Sequence, residues 1–154
     1  MIRPNPRTIA TALALVSAGV GTLAVAATPA DTIAARQANF KKMGGAMKVI
    51  KDELAGGADK AKMAGAATTI AAVARAQVPM FPKGTGPGAG VKTDALPAIW
   101  TDRATFDGHA KKLIAEADKL VAVTGAGNAA AIAAQFKVVG STCGACHKQF
   151  RADD

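Results

Sequence analysis

Residues 143–147 read Cys143-Gly144-Ala145-Cys146-His147, and they hold both cysteines of the chain. Two thiols three apart with a histidine directly after the second form the pattern for covalent haem attachment. Each thiol adds across a haem vinyl group, and the adjacent imidazole becomes an axial ligand of the iron. On a helix of 3.6 residues per turn the three side chains share one face, so they can reach one flat ring together. Other uses of the stretch fit less well. A disulfide here would close a very small loop and constrain the unfolded chain little. A thioredoxin-like pair needs a strand before it and a helix opening at the first cysteine, whereas here a helical pattern runs through the motif. A structural zinc would want four ligands, and beyond these three the chain offers only His109 and carboxylates.

Working outward from that stretch, the far end of the chain reads as an export leader. Arg3 and Arg7 precede an uncharged apolar run, Ile9 to about Val20, and Ala24-Val25-Ala26 has the small residues of a cleavage site. The same uncharged stretch is long enough to serve as a membrane anchor, but its small and polar residues and the cleavage signal favour removal. Residues 1–26 are thus expected to be a cleaved signal peptide, and 27–154 one soluble periplasmic domain. Loss of the leader takes the formal net charge from +8 to +6. A domain of this size buries roughly two-thirds of its unfolded surface. Only 4% of the chain is aromatic, with no tyrosine, so small aliphatic side chains and a large prosthetic group must fill the interior.

No strand alternation occurs in the mature part, and its alanine-rich segments favour helix. Four helices are expected. The first runs from about Thr32 to Leu54 with a heptad seam of Ile33, Phe40, Met47 and Leu54, complemented by Met43 and Ile50, and Gly56-Gly57 ends it. The second runs from about Ala58 to Gln77, carries Met63, Ile70 and Val73 inward, has the weakest apolar face, and is stopped by Pro79. A Pro- and Gly-rich crossover spans 78–93; its glycines lack the flanking strand and Gly-Lys-Ser/Thr of a phosphate loop. The third starts near Asp94 or Pro97 and places Ile99, Phe106, Leu113 and Leu120 seven apart. The fourth begins near Asn128, a good N-cap, and puts Ile132, Phe136, Val139, Cys143, Cys146 and Phe150 on one face. The haem therefore belongs inside an all-α bundle. One residue breaks the seam of the first helix: Arg36, whose guanidinium either snorkels to water or meets the propionates that a haem would bring.

A C-terminal Cys-x-x-Cys-His on the last helix of an exported bundle resembles the cytochrome c′ family, the class II c-type cytochromes. Further matches are Arg36-Gln37-Ala38-Asn39-Phe40-Lys41, Gly44-Gly45-Ala46-Met47-Lys48, Pro79-Met80-Phe81-Pro82 and Ala98-Ile99-Trp100, so the resemblance covers essentially the whole mature chain. It implies an antiparallel four-helix bundle, often a homodimer, with one haem c joined to Cys143 and Cys146 and its iron held by His147. Within the family, a first-helix methionine is the sixth iron ligand in one branch, and an apolar residue blocks that face in the other. The latter position corresponds here to Phe40, which has no lone pair to give, so five-coordinate iron is expected. Met43 and Met47 keep the methionine-ligated form open, although seam methionines usually fill cores. The resemblance also places Arg151 beside the proximal imidazole, where it equally suits a helix C-terminus, and Trp100 at the haem edge, where an indole also serves a bundle core. His109 falls off the inner stripe and is expected to be exposed.

Such a site suits two roles. One is binding of a diatomic gas, nitric oxide or carbon monoxide, behind an apolar screen. The other is electron transfer with a small redox protein, for which Lys41, Lys42, Lys48 and Lys51 offer steering charge or merely a solvated face. Peroxidase-like catalysis is disfavoured because neither Phe40 nor its seam neighbours supply a distal acid or base. Nucleic-acid binding fits poorly with export and few aromatics.

Overall fold

The computed structural model describes residues 27–153; the leader reading, residues 1–26, lies outside the described residues. The described chain is helical, with one isolated antiparallel β-bridge between Ala95 and Arg151. Helix α1 (Pro29–Asp52) starts three residues before its expected position, because Thr28 and Asp31 form a capping box over Pro29. At its other end it widens into a turn of π-helix, Glu53–Gly57, before Ala58 turns left-handed at φ 53°. Glu53 organises that turn by accepting from the Asp59 amide at 3.0 Å and pairing with Lys62 at 3.3 Å.

Helix α2 (Lys60–Gln77) is capped by Asp59 and passes through one 3₁₀ turn, Val78–Met80, where Pro79 ends it. The expected third helix is divided. A single turn, α3 (Ala98–Thr101), stops at Asp102, whose side chain then caps α4 (Arg103–Ala126) by accepting from the Thr105 amide. Gly127, at φ 73°, ends α4, and the Asn128 side chain caps α5 (Ala129–Phe150) by accepting from the Ala131 amide at 3.0 Å.

Helices α1, α2, α4 and α5 form an antiparallel four-helix bundle. α1 packs on α2, α2 on α4 and α4 on α5, while α1 and α5 make no comparable contact. At one end all four helices meet in a core that includes Ile50, Met63, Leu120, Ile132 and Val139. Toward the other end lies a separate aromatic cluster of Phe81, Ile99, Phe106 and Phe150. The bundle is thus closed at the turn end and opened along one seam at the end bearing the cysteines.

Two expectations about faces are corrected. The buried line of α1 is Ile33, Arg36, Met43, Ala46 and Ile50, whereas Phe40, Met47 and Leu54 are only partly covered, since they flank the open seam or the π turn. Helix α2, expected to have the weakest inner face, is the one most deeply buried, because Ala66, Ala67, Ala71 and Ala74 join Met63, Ile70 and Val73 inside. Small side chains let neighbouring backbones approach, which a scan for large apolar residues does not register.

Candidate haem site

A cavity of about 540 Å³ occupies the open seam, within the roughly 300–1,000 Å³ usual for small-molecule sites. One wall comes from α1 through Arg36, Phe40, Met43 and Gly44, joined by Ala74 and Gln77 of α2. The facing wall comes from α5 through Cys143, Cys146 and His147, with Phe106, His109 and Leu113 of α4 between. The helical spacing does what the motif requires: both thiols and the imidazole face one space.

Neither cysteine is in a disulfide. Burial raises the Cys143 thiol above its ordinary value, and burial followed by the neighbouring Cys143 pushes Cys146 up to about 11. Both are therefore neutral thiols at neutral pH and not the activated thiolates of a redox pair. His147 is shifted the other way. Enclosure, and to a smaller extent the charge of Arg151, lower its proton affinity and favour the neutral imidazole that can ligate a metal.

Arg36 does not snorkel. It is 2% exposed, and its guanidinium donates to Thr85 Oγ1 at 3.0 Å and Thr93 Oγ1 at 2.7 Å while lying 4.7 Å from the centre of the Phe81 ring. No carboxylate among the described residues pairs with it. A buried guanidinium that keeps donors at a cavity wall without an anion fits a ligand that supplies carboxylates. The cavity volume, the paired thiols, the imidazole and this uncompensated cation together fit haem c.

Phe40 is 40% exposed and stands in the α1 wall, tilted against Phe81 at 6.4 Å between ring centres. Met43 is 5% exposed in the same wall. Arg151 also lines the cavity and pairs with Asp94 at 3.9 Å. Trp100 stands behind the cavity-lining Phe81, with ring centres 6.4 Å apart. Its indole N–H donates to the Pro82 carbonyl at 3.0 Å, and its ring covers Gly86, which turns it toward the connection between α2 and α3. His109, expected to be exposed, is a correction to the sequence reading. It is half-buried, lines the cavity and meets the Phe150 ring edge-on at 5.9 Å. Sequence reasoning also passed over Gln77, whose helix end gave no signal that its face is inward.

The connection itself clamps the site. Thr93 receives Arg36, the Leu96 amide donates to the Phe150 carbonyl at 3.0 Å, and the Ala152 amide donates to the Asp94 carbonyl at 2.8 Å. Residues 93–96 therefore tie the cation of α1 to the chain end that follows His147.

Comparison with known proteins agrees with this architecture. The family model described as Cytochrome C' matches residues 31–151. The cytochrome c′ of Rhodospirillum rubrum is 37% identical over 148 residues, covering 91% of this chain and 95% of the relative, and that of Allochromatium vinosum is 33% identical over 92% and 95%. A cytochrome c-556 of Agrobacterium tumefaciens is 36% identical over 79% of this chain and 98% of its own. Among solved structures, a cytochrome c′ with a ligand-controlled dimer dissociation superposes with a TM-score of 0.80 at 30% identity, over 84% of this chain and all of that one. A carbon monoxide complex of a variant cytochrome c′ from Alcaligenes xylosoxidans superposes at 0.74 with 26% identity, over 82% and 98%.

Proposed function

The chain belongs to the cytochrome c′ family of haem c proteins, and from that premise we propose that it is a periplasmic, non-enzymatic haem protein that binds a diatomic gas at an iron open on one side. The observation that carries this reading is Phe40 in the cavity wall provided by α1, facing the wall that holds His147. A phenyl ring excludes bulk water and larger ligands while offering no donor atom of its own.

Haem c supplies an iron that exchanges one electron and takes up a small ligand. The rest is done by the chain. Cys143 and Cys146 would hold the group by thioether bonds, and His147 would ligate from α5. Arg36, fixed by Thr85 and Thr93, would neutralise the carboxylates of the bound group, and Arg151 would stand beside the His147 imidazole, on which its charge acts. Phe40, Met43 and Phe81 keep the gas-binding face apolar. Electron exchange would use the same group, with the exposed Lys41 and Lys48 of α1 to steer an acidic redox protein. A homodimer is proposed as the assembly, supported by the dimer of the solved relative. The chain is proposed to act as a soluble protein after removal of residues 1–26.

A second reading rests on Met43, which is buried in the same wall as Phe40 and carries a thioether that can ligate iron. Absorption spectra of the purified protein, ferric and ferrous, with and without carbon monoxide, separate the two. Broad high-spin bands that change with carbon monoxide are expected. Sharp low-spin bands indifferent to the gas, and lost in Met43→Leu, would overturn the open-site reading in favour of a pure electron carrier.

A further inference from the structure

The strap and the chain end run antiparallel beside the site. Ala95 bridges Arg151, the Ala152 amide donates to the Asp94 carbonyl at 2.8 Å, and the Leu96 amide donates to the Phe150 carbonyl at 3.0 Å. Arg151 is extended where α5 ends, and its amide donates to the His147 carbonyl at 3.0 Å. Main-chain bonds thus set Arg151 one turn beyond His147 and against the strap. The same pairing brings Asp94 Oδ2 to 3.9 Å from Arg151 Nε. Asp94, Arg151 and His147 all line the cavity, and Asp94 is the one acidic side chain among the described residues that do. Burial first, and the Arg151 charge second, lower the proton affinity of His147, so the field of the guanidinium reaches the imidazole.

We propose that Asp94 is a positioning residue for electron transfer: by drawing the Arg151 guanidinium toward the strap, it limits the positive charge felt at His147 and its iron and so lowers the reduction potential. Reduction adds one electron, supplied by a small redox protein, to ferric iron and leaves the site one unit more negative. A cation nearby favours that step and an anion opposes it. Without the Asp94 charge, the guanidinium is released to turn toward the site, where the added electron attracts it. The strap itself does not depend on this carboxylate, because main-chain bonds hold residues 94–96 to 150–152. The Arg151 and Asp94 side chains are 42% and 43% exposed, so the pair contributes little to stability and salt screens it. Its consequence lies at the imidazole, where a partner of the ligand's neighbour tunes the metal.

The inference rests on the haem reading of the cavity, and the two fail differently. Purified exported protein without covalent haem absorbance overturns that reading and this inference with it; haem-loaded protein whose potential ignores Asp94 overturns the inference alone. Midpoint potentials are measured by spectroelectrochemical titration at about 10 mM ionic strength, where charges act over about 30 Å. Asp94→Asn keeps the side-chain shape and removes the charge. It is expected to move the one-electron equilibrium about threefold toward the ferrous form, a rise of about 30 mV. Asp94→Glu, which keeps the charge, is expected to stay within about 1.5-fold of the native protein. No change, or a fall, in Asp94→Asn sinks the proposal. In an Arg151→Gln background the same substitution is expected to produce less than half that rise. Half or more means that the carboxylate acts on the iron without Arg151, and the proposal is overturned. A rise undiminished at about 1 M salt, where exposed charges are screened, marks a rearranged strap and overturns it as well.

Discussion

Gly86 has no side chain because the Trp100 ring fills the space where one would project: an added Cβ would lie 2.9 Å from Cζ3 and 3.1 Å from Cη2. The indole is held by Pro82 and cannot swing away without losing that bond, so Gly86→Ala is expected to destabilise the protein by about 1–3 kcal/mol, read as a lowered urea midpoint. Arg36→Lys is the second test at this scale. A single ammonium cannot reproduce a fork that reaches Thr85 and Thr93 at once, so a loss of about 1.5–3 kcal/mol is expected in thermal unfolding, with helicity kept. Residues whose chemistry is rare were legible before any coordinates. Cys143, Cys146 and His147 announced themselves by spacing, and Arg36 by being a charge on an apolar seam. Gln77 and His109 were not legible. A polar residue beside a stripe reads as outward unless a cavity widens the stripe to include it, and that widening belongs to the open seam between α1 and α5.

Among the elements, α5 was read closely from its Asn128 cap and the stripe of apolar side chains that follows, whereas the third helix, expected in one piece from near Asp94 or Pro97 to Gly125, is α3 and α4. α2 was underrated because alanine contributes little to any apolar score, yet Ala67 is fully buried. Replacing Ala67 by Leu is therefore expected to overpack the α2 interface and cost about 1–3 kcal/mol in urea denaturation, while Thr68→Leu on the exposed side stays within about 0.5 kcal/mol. The break at Asp102 was missed because its cap competes with helix continuation only once the Trp100 turn is fixed. α4 and α5 are also joined electrostatically. Gln135 donates to Glu116 at 2.8 Å, and this bond first, then Lys119, lowers the Glu116 carboxyl below its ordinary value of 4.5. A depressed carboxyl stabilises the fold above its ordinary value and ceases to do so as pH falls through the folded one. Gln135→Leu should raise the Glu116 midpoint in an NMR titration and make stability less steeply pH-dependent below about 4.5; an unmoved midpoint would show the bond to be idle.

For the whole molecule, the four helices and their order were foreseen, and the asymmetry between the two ends was not. The turn end has its own core of Ile50, Met63, Leu120 and Ile132, whereas the site end has the smaller cluster of Phe81, Ile99, Phe106 and Phe150 beside the open seam. A Cys143→Ser/Cys146→Ser double variant, which cannot hold haem covalently, is expected to melt lower. Amide exchange in it should become fast near Arg36 and His147 while protection persists near Ile50 and Ile132; uniform loss of protection would refute this division. The strap at residues 93–96 adds an order in time. The bond from Arg36 to Thr93 spans 57 residues, while α1 and α2, and α4 and α5, are joined by turns of a few residues. Short loops close sooner than long ones, so the two hairpins form first and the strap latches after them. Until the final residues arrive, the thiols of α5 face an unlatched door, and the interval before it shuts is when a bulky planar guest can be installed.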